Sequence, residues 1–266
     1  MHRPKKAFAQ LDDQQVFYWT IGTGPDLFMI HQSGNSSEEY AGLIAQLADD
    51  FRLIAIDLPG HGSSDDPVTP PSVPHYGQAC LAVLDQLQVR QAHLLAHHGG
   101  CLAAIYLLAA QPQRFRKAIL SGLGGPRTRE ENAAFRARVL STPTTIDGTG
   151  QFMADAWTRY LAMASANASI TDTLKPFIAF LSARLRPHRA MRANLDWDRR
   201  PALAELAGPV LLLQGTKDSY VQGQEDLVSL IPNCQRQLVK GGGAFMFYEQ
   251  PLVCAGIVRS YLTGGG

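Results

Sequence analysis

Several things are missing or scarce in this 266-residue chain, and each absence removes a class of function. Neither sign of charge is in excess: 24 Lys and Arg stand against 23 Asp and Glu. The basic residues form only short groups such as Arg3, Lys5 and Lys6. That balance disfavours nucleic acid or a membrane surface as a partner. The opening segment MHRPKKAFAQLDDQQ carries basic residues with no apolar run behind them. It matches neither a secretory signal nor an anchor, and a cytoplasmic protein is expected. Cysteine is scarce: Cys80, Cys101, Cys234 and Cys254 lie far apart and none forms a C-x-x-C pair. A disulfide scaffold and a cysteine zinc site are therefore disfavoured, and each cysteine reads as a small core residue. There is no glycine-rich phosphate loop or dinucleotide fingerprint, which argues against a nucleotide, and no cofactor is expected. Finally, residues 124 to 205 hold no convincing strand pattern.

The remainder of the chain alternates short apolar runs with amphipathic segments, the pattern of a mainly parallel sheet wound with helices. QVFYWTIG (15–22), DLFMIH (26–31), RLIAID (52–57), AHLLAH (92–97), KAILSG (117–122), PVLLLQG (209–215) and CQRQLVK (234–240) read as strands. TGPD, between the first two, predicts a hairpin, so the sheet should begin antiparallel. SSEEYAGLIAQLADD (36–50) reads as one helix, and GGCLAAIYLLAAQP (99–112) follows its strand almost without a loop. The helical stretches of 124–205 carry Phe152, Trp157, Tyr160, Phe177, Phe180 and Trp197. These aromatics suit packing and, for a share of them, the wall of an apolar pocket.

Five motifs carry a resemblance. They are HQSGNSSEEY after an early strand, DLPGHGSSD (57–65), the turn Ala96-His97-His98-Gly99-Gly100, and the pair LLLQGTKDSYV and GGGAFMFYEQP near the end. Together they resemble the α/β-hydrolase superfamily, in its cap-bearing small-molecule branch. The resemblance implies an α/β fold: a mostly parallel eight-stranded sheet with helices on both faces. It implies a core of residues 1–123 and 206–266, with a helical cap, 124–205, inserted after the sixth strand. In that family a strained turn between strand and helix, small-x-nucleophile-x-small, holds the nucleophile at its tip. Here the tip is His98; moving the frame to His97 would put Leu95 where a small residue is needed. The resemblance places the triad acid at Asp218 and sets Ala244 where the triad histidine belongs, so an acyl-serine mechanism is not expected.

The two changes are linked in this reading. Losing the imidazole at 244 opens a space beside Asp218, and His98 is expected to reach into it and donate a ring N–H to that carboxylate. The result would be a histidine–aspartate dyad able to take a proton from water or from a substrate near neutral pH. The resemblance implies backbone oxyanion donors at Ser33 and Gly99. Gln32, where a glycine commonly follows His31, is expected to fill or reshape that oxyanion hole. His31, Gln32, Trp157, Tyr160, Phe177, Phe180, Ala244 and Phe245 are the pocket candidates. His31 and His61 also suit structural roles, and His93 sits among core residues. His97 and His98, adjacent on a turn, are expected to point in different directions without a third ligand, so no metal is expected.

Three functions fit. The first is an enzyme acting on a small, mostly apolar organic molecule, by hydrolysis or cofactor-independent proton abstraction. The second is a non-catalytic hydrolase-fold protein that binds a small ligand, and the third is an interaction scaffold.

Overall fold

The computed structural model describes residues 3–125, 129–141, 148–165, 167–184, 190–221 and 223–264. Its elements run in chain order β1 (Lys5–Leu11), β2 (Gln14–Ile21), β3 (Asp26–Ile30), α1 (Ile44–Leu47), β4 (Arg52–Ile56), α2 (Val73–Gln86), β5 (Ala92–His97), α3 (Gly100–Ala110) and β6 (Phe115–Ser121). Five helices follow: α4 (Arg129–Ser141), α5 (Gln151–Met163), α6 (Ile170–Arg184), α7 (Ala190–Leu195) and α8 (Arg200–Ala204). The chain then returns to β7 (Val210–Gly215), α9 (Gln224–Leu230), β8 (Cys234–Val239), α10 (Met246–Glu249) and α11 (Pro251–Thr263).

The eight strands form one sheet in the order β1-β2-β4-β3-β5-β6-β7-β8. β2 runs antiparallel to both β1 and β4, and every later pair is parallel. The sheet does begin antiparallel, but the hairpin is β1–β2, turning at Asp12 with φ +49°, not the TGPD turn. β3 instead enters between β4 and β5. The reason is burial: Leu27, Phe28, Met29 and Ile30 are all completely buried, and an apolar run covered on both faces belongs inside a sheet. The N-terminal strand β1 has no counterpart among the expected strands. Its burial alternates only weakly, as suits an edge strand with exposed Lys5 and Lys6.

Two apolar clusters, one on each face, hold the layers together. One gathers Val73, Cys80 and Leu84 of α2, Leu102 and Ile105 of α3 and Leu227 of α9 against Phe28, Ile54 and Leu94. The other gathers Tyr40, Leu43, Leu47, Phe247, Cys254 and Val258 against Leu27, Met29, Leu53 and Leu95. Neighbouring strand residues thus feed opposite clusters, the period-two signature of a sheet covered on both sides. The segment expected as one helix over 36–50 is a 3₁₀ turn, Ser37–Leu43, running into the single turn α1. Among the described residues no helix is long and apolar enough to cross a membrane.

Candidate active site

β5 lies in the middle of the sheet, and its end delivers the turn at residues 96–100. His98 takes φ +45°, a left-handed conformation that side chains rarely adopt. Its backbone N–H is tied to the Ser121 carbonyl at 2.8 Å. The small residues around it are needed. A Cβ on Gly99 would stand 2.0 Å from Ser33 Oγ, and one on Gly100 2.4 Å from the His31 carbonyl oxygen. Gly99 then caps the N-terminus of α3, eleven residues long, where unpaired backbone N–H groups favour negative charge.

The His98 ring lies across Gly122, which follows β6 with φ +66°. A methyl group there would come within 2.3 Å of His98 Cδ2 and 2.5 Å of Nε2. From that seat His98 Nε2 reaches Asp218 Oδ2 at 2.8 Å. With the carboxylate ionised, Nε2 carries the hydrogen and donates it. Asp218, after β7, is buried, and its Oδ1 accepts the Tyr220 amide at 3.0 Å. Burial pushes the Asp218 carboxyl up, but His98 beside it and the Tyr220 amide together hold it below the usual carboxylate range. The Tyr220 ring meets the His98 ring edge-on, with centroids 5.1 Å apart.

Directly behind lies a second histidine–carboxylate pair. His97 is wholly buried, its Nδ1 bonded to Glu39 Oε1. Burial drives the His97 imidazole below its ordinary value despite Glu39. Glu39 is also fully buried; burial would raise its carboxyl, yet His97 and the Gln32 amide bring it below the usual range. The two histidines do not diverge as expected: their ring centroids are 4.4 Å apart. One potential ligand atom from each of His97, His98 and Asp218 lies within 4.8 Å of the others, so a third donor does stand beside the adjacent pair. The separation of Glu39, His97 and Asp218 in the chain hid this from sequence reasoning.

Gln32 is buried and tied to Glu39 and Ala244. Its N–H and side-chain amide both donate to Glu39 at 3.0 Å, and the same amide reaches the Ala244 carbonyl at 3.2 Å. It bridges the loop after β3 to the segment that carries Ala244, itself buried. His31 is also turned to main chain: Nε2 accepts the Leu58 N–H at 3.0 Å and Nδ1 pairs with the Gln32 carbonyl at 2.8 Å. His61 accepts the Gly34 N–H at 3.2 Å. These bonds fix Gln32 and Gly34 on either side of Ser33. Asp57, opening DLPGHGSSD, accepts the Ser37 and Ser63 amides at 2.6 and 2.8 Å, while Gly62 leaves it room. His93 lies away from this site in β5, near Phe51.

Asn194 of α7, which sequence reasoning missed, donates Nδ2 to Ser33 Oγ at 3.1 Å and lies over Gly99. Nothing in its local sequence signals this, because the contact spans 161 positions. The aromatics of α5 and α6 form one group. Tyr160 stacks on Phe245 with centroids 5.0 Å apart, and meets Phe177 and Phe180 at 5.4 and 5.1 Å. Trp157 touches Phe177 and Phe152 touches Phe180, whereas Trp197 packs on the sheet core.

A family model described as the alpha/beta hydrolase fold matches residues 25–251. The chain belongs to the α/β-hydrolase fold family. Among relatives of the chain is a pimeloyl-acyl-carrier-protein methyl ester esterase of Aeromonas salmonicida. It is 31% identical over 217 residues, 76% of this chain and 80% of the relative. The enzyme of the same description from Xanthomonas campestris is 29% identical over 240 residues, covering 84% and 89%. In three dimensions this α/β-hydrolase is similar to an esterase from a Rhodococcus species, with TM-score 0.82, 26% identity and 99% of each chain covered. An N-acyl homoserine lactone degrading enzyme shares the fold at TM-score 0.80 and 20% identity, over 96% of this chain and 100% of its own.

Proposed function

We propose that this α/β-hydrolase is a cofactor-independent ester hydrolase for a small, mostly apolar organic molecule, with His98 and Asp218 as its general-base dyad. In this reading residues 1–123 and 206–266 are the core, and 124–205 are a cap whose aromatic group at Trp157, Tyr160, Phe177 and Phe180, with Phe245, holds the apolar part of the substrate. The carrying observation is the 2.8 Å bond from His98 Nε2 to Asp218, made by a ring seated on Gly122. That bond assigns the hydrogen to Nε2 and leaves Nδ1 as the proton acceptor.

The chemistry follows. A water gives its proton to Nδ1 as its oxygen bonds to the ester carbonyl carbon, and Asp218 stabilises the imidazolium that forms. The carbonyl oxygen gains the negative charge between the Gly99 amide at the start of α3, where the helix dipole favours it, and the Ser33 amide of the loop after β3. When the tetrahedral adduct breaks its bond to the leaving oxygen, Nδ1–H returns the proton to that oxygen. No covalent enzyme intermediate is needed. The esterases among the relatives support an ester as the substrate bond.

His98→Ala should lower kcat/KM on short-chain activated esters by about 10²- to 10⁴-fold with the melting temperature nearly kept. Turnover of a true substrate that survives this change intact refutes the dyad. Asn194 reaching over Gly99 favours a second reading, a ligand-binding protein with the anion site partly covered. A ligand bound equally well by His98→Ala and never turned over by either form would decide for that one.

A further inference from the structure

The second histidine has no task in the hydrolytic reading, yet it is built with care. His97 Nδ1 pairs with the buried Glu39 carboxylate, and Nε2 is buried with no hydrogen-bond partner among the described residues. A histidine that gives one ring N–H to a carboxylate and keeps the other nitrogen bare is in the tautomer that binds metals, and such outer carboxylates are the usual orienting device. Its neighbours are the right kind. His98 and Asp218 place ligand atoms within 4.8 Å of its own.

We propose that His97, His98 and Asp218 form a binding site for a divalent transition-metal cation of the zinc class, and that occupation of this site silences the base. Two imidazoles and one carboxylate are a common three-ligand set for zinc, with a fourth position left to water. Zinc–nitrogen and zinc–oxygen distances of about 2.0–2.2 Å put ligand atoms of a tetrahedral centre about 3.3 Å apart. The cluster closes on a metal by turning the imidazoles, with the His98–Asp218 pair opening slightly.

The silencing follows from proton placement. A metal on His98 Nε2 requires a lone pair there, so the hydrogen moves to Nδ1 and the imidazole keeps its neutral charge. Nδ1 then donates where it had accepted, and no base faces the substrate. This half of the inference rests on His98 being the base; the binding half does not.

The first experiment is calorimetric titration of the chelator-treated full chain with Zn²⁺, alongside ester turnover with and without the metal. One ion per chain at micromolar affinity or better is expected, with turnover falling in step with occupancy. His97→Asn keeps an N–H for Glu39 and removes Nε2. It should weaken binding beyond the about 10- to 100-fold cost of an outer-shell change, and leave turnover indifferent to Zn²⁺. Stoichiometric binding that is absent from the wild type, or unchanged in His97→Asn, overturns the site. Should His97→Asn fail to fold, long-range proton–nitrogen spectra of the wild-type imidazoles decide: Zn²⁺ must shift Nε2 of both His97 and His98, and a spectrum without those shifts overturns it. If His98→Ala keeps full turnover while the wild type binds Zn²⁺ at these nitrogens, the base reading fails and the metal site stands.

Discussion

One missing Cβ decides where His98 can lie. Gly122 gives the ring a floor, and its φ of +66° is strained for any other residue. Gly122→Ala would thrust a methyl within 2.3 Å of the imidazole, so the ring must leave Asp218 or the strand must shift. The expected result is a loss of turnover comparable to His98→Ala, with stability lowered by about 1–3 kcal/mol. Denaturant melts with parallel kinetics check it. A fully active Gly122→Ala protein would show that the ring's seat does not matter. At this scale the sequence is uneven as a guide. The small residues at 99 and 100 with His98 at the tip stood out from the spacing around the turn, and Asp218 was picked out by the family resemblance. Gly122, Gln32 tied to Glu39, and Asn194 were not, because each acts through a partner distant in the chain.

At the scale of elements, β5 leads into the His98 turn at one end and carries a pH-sensitive histidine near the other. His93 is mostly buried, and burial, with Arg116 and Lys117 adding to it, lowers its imidazole from 6.5 to about 4. As pH falls below 6.5 the unfolded chain takes up this proton first, while the folded protein resists until about pH 4. The folded state therefore loses stability across that window, and above it the full contribution is present. His93→Phe, which keeps an aromatic ring beside Phe51, should flatten the decline of melting temperature between pH 6.5 and 4. Identical slopes in the two proteins would remove His93 from the account. The elements themselves were largely readable: seven apolar runs became strands because alternation and length sufficed. The misplaced hairpin shows the limit, since adjacency in sequence favoured β2 beside β3 while burial on both faces put β3 in the middle.

For the whole molecule, the question is how the helices between β6 and β7 are held to the rest. Ser165, after α5, offers its N–H to Glu249 at 3.0 Å and its hydroxyl to the same carboxylate, while its Oγ accepts the Gly243 N–H at 2.9 Å. Next to this, the Ala244 N–H donates to the Met163 carbonyl at 3.1 Å. This clip binds α5 to the segment that carries Ala244. Burial raises the Glu249 carboxyl even though Ser165 stabilises its charge. Glu249→Ala should cost about 1–3 kcal/mol locally, seen as faster hydrogen exchange at the end of α5 and the start of α6 with β5 and β6 unchanged. Unaltered exchange there would show that the aromatic group around Tyr160 alone secures these helices.

The chain by itself determined the alternation of strands and helices, the strained turn with a histidine at its tip, the acid at 218 and the alanine at 244. The alternation and the turn are local, following from residue size, periodicity and the backbone angles that glycine permits, whereas positions 218 and 244 stood out only through the family resemblance. Tertiary structure alone decided the strand order, the Glu39–His97 pair and the meeting of two histidines with one carboxylate. Those depend on which buried faces and charges find each other across 58 and 120 positions, and burial energy carries no record of sequence distance.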